Sequence, residues 1–155
     1  MNATGRALAG ALGGAGGTLV LSALRGALKK ADIVFDTAPT QVVDRFEEVF
    51  VADGLSPNTR RVLASTAHVA YGVGTGAVFG LLRKEGGRVG EEAAVGSSLG
   101  ILAWGVGWSS WLPLAGVHSP PWEQRTPKVL LPVIDHAVYG AAWGLIFSAL
   151  TQRRK

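Results

Sequence analysis

Cysteine is absent from the chain. Its absence excludes disulfides, thiolate metal ligands and a thiol nucleophile, and leaves the redox compartment open. Charge is missing from four long stretches. Residues 7–24 carry none; residues 62–82 hold only His68, residues 93–122 only His118, and residues 129–150 only the pair Asp135-His136. A bilayer core of about 30 Å needs about 20 apolar helical residues, and each stretch supplies them. A soluble bundle would show a polar face on each helix; these stretches are apolar all round. Catalytic signatures are lacking as well. There is no G-x-S-x-G, no H-E-x-x-H, no H-x3-H and no evident Ser/His/Asp order, and the glycines of the first stretch lack the strand and Lys context of a phosphate loop. The basic residues, net +4, flank the apolar stretches instead of gathering on one soluble face, which argues for topology determinants and against nucleic-acid binding.

What is present predicts an all-α fold: a single integral membrane domain, residues 1–155, built as a four-helix transmembrane bundle with spans at 7–28, 62–82, 93–114 and 129–150. The first span reads as a retained helix and not a cleaved signal peptide, because the segment before it has a single Arg6, the run is too long for an h-region and no clean A-x-A site precedes Lys29-Lys30. Between the first two spans, Val42, Val43, Phe46, Val49 and Phe50 share one helical face, with Asp44, Arg45, Glu47 and Glu48 between them. This predicts a short amphipathic interfacial helix over 39–53, opened by Thr37 and Pro39 and closed by Gly54. Ser56-Pro57 reads as N-cap and first residue of the second long helix. Four spans put both termini and the Arg83–Arg88 turn on one side. Lys and Arg are nearly balanced between the two sides, so they do not decide orientation. The short turn and the tail Arg153-Arg154-Lys155 favour cytoplasmic termini, the reading taken here; Arg25, Lys29 and Lys30 argue the reverse.

Helices two and four carry one pattern without a gap, H-x-x-Y-G-x-x-x-G-x-x-F-x-x-L, from His68 to Leu82 and from His136 to Leu150. The whole chain has three His and two Tyr, and two of the former and both of the latter fall in register, which chance among apolar helices does not readily give. Two duplicated helical hairpins, related by an axis along the membrane normal, are therefore expected; helices one and three match only through Gly10/Gly14 and Gly96/Gly100. Small-residue spacings recur on every span: Gly10-x3-Gly14, Gly72-x3-Gly76-x3-Gly80, Gly96-x3-Gly100 and Gly140-x3-Gly144. In lipid such stripes let backbones approach closely.

At these residues the chain resembles the YagU-like family of small bacterial inner-membrane proteins. The resemblance rests on His68 followed by Tyr71, on the Pro120-Pro121-Trp122 loop and on His136 followed by Tyr139. It implies a four-helix inner-membrane protein and no established reaction. Asp135 and the Gly-rich first helix depart from the pattern.

The polar cluster is His68, Asp135 and His136 with Tyr71 and Tyr139. His68 and Asp135-His136 lie at a similar depth, and both helices enter from the same side, so the groups are level in the bilayer. Ionisable groups in a span face the interior. Two readings stand. Each His bonds a neighbouring carbonyl or Tyr hydroxyl, or the cluster handles a proton or metal, with Asp135 biasing His68 or His136 toward its charged form. His68, His118 and His136 are weak metal candidates without a motif. Trp104, Trp108 and Trp111 share one face and read as interfacial anchors, with a ligand-stacking wall as the minority reading. The functional expectation is a non-enzymatic structural, accessory or stress-related membrane component without a cofactor, whose partners are the bilayer and a second copy or another membrane protein. The alternative is a small proton- or ion-responsive transporter or channel.

Overall fold

The structure is a computed structural model in which residues 1–31, 38–51, 53–84 and 87–152 are described. Thr37, Glu85, Gly86 and the tail Arg153-Arg154-Lys155 lie outside the described residues. The chain is all-helical: α1 (Ala3–Lys30), α2 (Ala38–Phe50), α3 (Pro57–Leu82), α4 (Val89–Val106), a π turn (Gly107–Trp111), α5 (Leu112–Leu114), a 3-10 turn (Pro121–Glu123) and α6 (Thr126–Thr151). Three helices, Ala3–Lys30, Pro57–Leu82 and Lys128–Thr151, are long and apolar enough to cross a membrane. The path expected as a further span is composite. Glu91 and Glu92 sit in the first turn of α4, and the helix continues through the π turn into α5. Pro113 gives a reason for the wide turn. In α geometry its ring would meet the carbonyl four residues back, and it offers no N–H; a turn closed by Leu112 N–H on the Gly107 carbonyl relieves that approach.

Local chemistry starts the helices. The Asn2 side chain accepts from Gly5 N–H at 2.8 Å, and Ser56 accepts from Thr59 N–H at 3.1 Å. Gly in a helix interior costs about 1 kcal/mol relative to Ala, and α1 carries a run of them. Packing explains why. A Cβ at Gly10 would overlap the Gly76 carbonyl oxygen, and one at Gly14 the Gly72 carbonyl oxygen, so α1 and α3 touch backbone to backbone, antiparallel. The α4–α6 crossing has the same construction: a Cβ at Gly96 would overlap Gly140, one at Gly100 the His136 carbonyl, and one at Gly144 the Glu92 carbonyl. A third crossing joins α1 to α6, where Gly13 and Gly17 leave room for the rings of Trp143 and Tyr139. There Phe79 packs on Trp143 with centroids at 4.5 Å and edge-on to Phe147 at 5.2 Å, and these rings with Ala9, Leu21 and Tyr139 form the core.

The pairs in contact therefore run α3–α1–α6–α4, and α3 and α4 do not pack along their lengths. Among the described residues they are tied at the Arg83 end. There Arg83 bonds Glu91 at 2.7 Å and Glu92 at 2.8 Å, and Glu92 is 1% exposed. The two carboxylates push the Arg83 guanidinium pKa up. Away from that end a groove opens between the two helices.

Candidate functional site: a cavity between α3 and α4

The groove holds a cavity of about 270 Å³, a size at the small end for ligand sites. α1 and α6 form its floor with Leu21, Arg25, His136 and Tyr139; α3 gives one wall with His68 and Tyr71; α4, the π turn and α5 give the other with Trp104, Trp108 and Trp111; Pro39 and Val42 of α2 roof it. Four of the five residues in the polar cluster line this space. The fifth, Asp135, is 3% exposed and bonds Arg25, with Nε to Oδ2 at 2.9 Å. Asp135, expected to act on the histidines and adjacent to His136 in sequence, takes its hydrogen bond from a guanidinium of α1. By position in the sequence Arg25 counts as a topology charge at the end of the first span. α1 in fact runs on to Lys30, so Arg25 lies one turn beyond Leu21 on the same interior face. That i, i+4 spacing is the signal that could have found it.

The histidines are held differently. His136 Nδ1 lies 2.7 Å from the Pro132 carbonyl, which only accepts, so Nδ1 carries a proton and donates it. Pro132 lies inside α6, and the ring stays within one turn of it. His68 makes no hydrogen bond to any described residue. Tyr139 lies beside the Thr75 hydroxyl at 3.0 Å and donates to the Gly72 carbonyl at 3.3 Å, tying α6 to α3; Tyr71 is half-exposed in the groove. Trp104 Nε1 is buried without an acceptor. His118 lies elsewhere, in the loop after α5. Its ring packs on Trp108 at 4.2 Å and its Nδ1 contacts the Ser119 carbonyl. It does not line the cavity, and no three His, Asp or Glu gather as a metal site would need among the described residues. Of the tryptophans, Trp108 is buried, stacks on Trp104 at 6.2 Å and donates to Gln124 at 3.3 Å; Trp111 is exposed. All three present to the groove, the place a stacking wall would occupy.

The roof is fastened by charge. Glu47 of α2 accepts from Leu55 N–H at 2.8 Å and from Arg60 Nε at 2.9 Å, and Arg60 also meets Asp44 at 3.4 Å. The Leu55 N–H, then the Arg60 guanidinium, hold the Glu47 carboxyl below its ordinary pKa. Arg45 reaches the Ala115 carbonyl at 3.1 Å, so α2 bridges α3 and the loop after α5. Its apolar stripe divides: Val43 is buried and Val42 faces the cavity, whereas Phe46, Val49 and Phe50 are exposed, the last at 72%.

Beyond the roof a second, more polar hollow of about 460 Å³ adjoins the cavity, sharing Arg25, Pro39 and His68 with it and adding Lys29, Arg60, Arg61 and Ser65. What the arrangement can do chemically is hold a mainly apolar guest against a few fixed polar groups. No family model matches the chain, and neither a curated protein nor a solved structure matches it.

Proposed function

We propose that this chain is a four-span integral membrane protein that acts as a non-enzymatic accessory component by binding a ligand in the α3–α4 groove. One observation carries the reading. An apolar, Trp-walled cavity reaches a buried ion pair, and the His68 ring, the Tyr71 hydroxyl and the Trp104 indole N–H on its surface have no hydrogen-bond partner among the described residues. Polar groups gathered on the wall of an apolar cavity are what a guest would engage.

The fourth span in this proposal is the composite path Val89–Leu114, with Glu91 and Glu92 at one boundary next to Arg83. Duplicated hairpins form part of it too. The Gly72 carbonyl faces Gly14 as the Gly140 carbonyl faces Gly96, and Gly76 meets Gly10 as Gly144 meets Glu92. These crossings equate Gly14 with Gly96, one turn off the Gly10/Gly96 alignment that the sequence suggests. The YagU-like resemblance and a bacterial inner-membrane location with cytoplasmic termini complete the proposal, on the strength of the His/Tyr motifs and the Pro-Pro-Trp loop.

A second reading, a proton- or ion-responsive transporter, draws on the Arg25–Asp135 pair beside His68 and His136. It requires a water path through to the Arg83 end, where the Gly crossings and the Phe79–Trp143–Phe147 rings close the interior. Single cysteines at Lys30, Gly87 and Gln124 test the membrane reading in sealed vesicles. Lys30 and Gln124 label from one side and Gly87 from the other; labelling of all three from one side overturns four spans.

A further inference from the structure

We propose that the groove is a site for one anionic phospholipid, its phosphate in the basic hollow and an acyl chain in the Trp-walled cavity. The inference rests on the ligand-binding reading above and names the guest.

The two hollows adjoin, with Arg25, Pro39 and His68 lining both, and they differ in character along the helix axes. The lower one is walled by Leu21, Val42 and three tryptophans. The upper one lies where the apolar stretches end: Lys29 is in the last turn of α1, and Arg60 and Arg61 are in the first turns of α3. In a bilayer this is headgroup level above acyl level. α2, alongside, exposes Phe46, Val49 and Phe50, which suits a helix lying in the interface.

Charge selects the headgroup. Among the described residues no carboxylate lines the upper hollow. Arg60 is engaged by Glu47 and Asp44, but Lys29 and Arg61 have no acidic partner among the described residues. Arg25 spends only its Nε–H on Asp135, and its two terminal nitrogens have no acceptor among the described residues. A guanidinium fork with free donors and two cations that lack an acidic partner among the described residues suit a phosphate. A zwitterionic lipid brings an ammonium that these groups repel. A free phosphate leaves the tryptophan wall unused. The apolar lower cavity and the basic upper one together match an amphiphile.

The experiment is native mass spectrometry of the full chain in neutral detergent, with phosphatidylglycerol and phosphatidylcholine of identical acyl chains as probes and inorganic phosphate as competitor. The expected result is one retained phosphatidylglycerol per chain, preferred over phosphatidylcholine. Lys29→Gln and Arg61→Gln, both at exposed positions, each cut that preference about fivefold. Ala67→Phe, which fills the groove from α3, abolishes retention of either lipid. Thermal stability in detergent shows that each variant remains folded. Equal retention of the two lipids, still lost in Ala67→Phe, overturns the anionic guest and leaves the ligand-binding groove standing. Retention unchanged in Ala67→Phe overturns both. Displacement of the lipid by millimolar phosphate overturns the acyl-chain half of the site and assigns the hollow to a free anion.

Discussion

Arg25 and Asp135, 110 positions apart, meet with Nε and Oδ2 at 2.9 Å where α1 crosses α6. The two are unequally placed. Asp135 is closed in by protein, whereas Arg25 borders the polar hollow. Removing one partner of a buried pair leaves the other charge uncompensated, at about 3–5 kcal/mol. Arg25→Gln strands the enclosed carboxylate and is expected to cost that amount. Asp135→Asn leaves a guanidinium that reaches water and is expected to cost less, about 1–3 kcal/mol. Unfolding of both variants by denaturing detergent checks the order; equal losses, or a reversed order, contradict the placement.

The glycine crossings predict a contrast among chemically identical substitutions. Gly76→Ala and Gly144→Ala force a methyl into backbone atoms of the neighbouring helix and are expected to destabilise by about 1–3 kcal/mol. Gly74→Ala and Gly105→Ala meet nothing within 4 Å and are expected to be neutral or to gain up to about 1 kcal/mol of helix propensity. Thermal midpoints in one detergent decide it: four equal midpoints would mean the crossings are looser than described.

At the other end of the bundle, Arg83 neutralises Glu92. Arg83→Gln is expected to cost about 3 kcal/mol, the low end for a broken buried pair because Arg83 keeps some contact with water. The pair replacement Arg83→Met with Glu92→Leu recovers most of that loss, since it removes both charges together. Failure of the double variant to recover stability would assign Arg83 another role.

The α2 roof responds to pH in a stated direction. The Glu47 carboxylate is stabilised by the Leu55 N–H and Arg60, so its folded pKa lies below the ordinary 4.5. Stability from this contact is therefore complete above the ordinary value and is lost as pH falls through the folded one. The Leu55 amide resonance, followed by NMR from neutral to about pH 3, should shift with the Glu47 titration and stay fixed in Glu47→Gln. A Leu55 shift that persists in Glu47→Gln rules out this attachment.

Much of the local architecture is legible in the sequence, because its causes are local. Ser56-Pro57 marks the start of α3 by side-chain capping and a fixed φ, and the spacing of Val42, Val43 and Phe46 gives α2 its period. The groove is not legible, because it arises from which helices fail to touch. Gly10, Gly14, Gly72 and Gly76 bind α1 to α3, Gly96, Gly100, Gly140 and Gly144 bind α4 to α6, and α3 and α4 are left apart as a consequence of both. Arg25 escaped for a related reason. An ion pair between distant helices leaves no local periodicity, and a charge at the end of an apolar run looks like a topology signal. The π turn at Gly107–Trp111 also has no simple sequence mark beyond Pro113, yet it sets where Trp108 and Trp111 face.

The absence of cysteine makes the central claim directly measurable, since every introduced thiol reports without background. In sealed proteoliposomes of phosphatidylcholine, the lipid the groove does not prefer, Tyr71→Cys and Val69→Cys are challenged with a charged, water-soluble thiol reagent from the side of Lys30. The two side chains are about equally exposed in the isolated protein, 46% and 44%, but Tyr71 lines the groove and Val69 does not. The account predicts that Tyr71→Cys reacts and Val69→Cys, facing lipid, does not. Equal reaction at both positions, or at neither, would contradict a groove open to its ligand between α3 and α4.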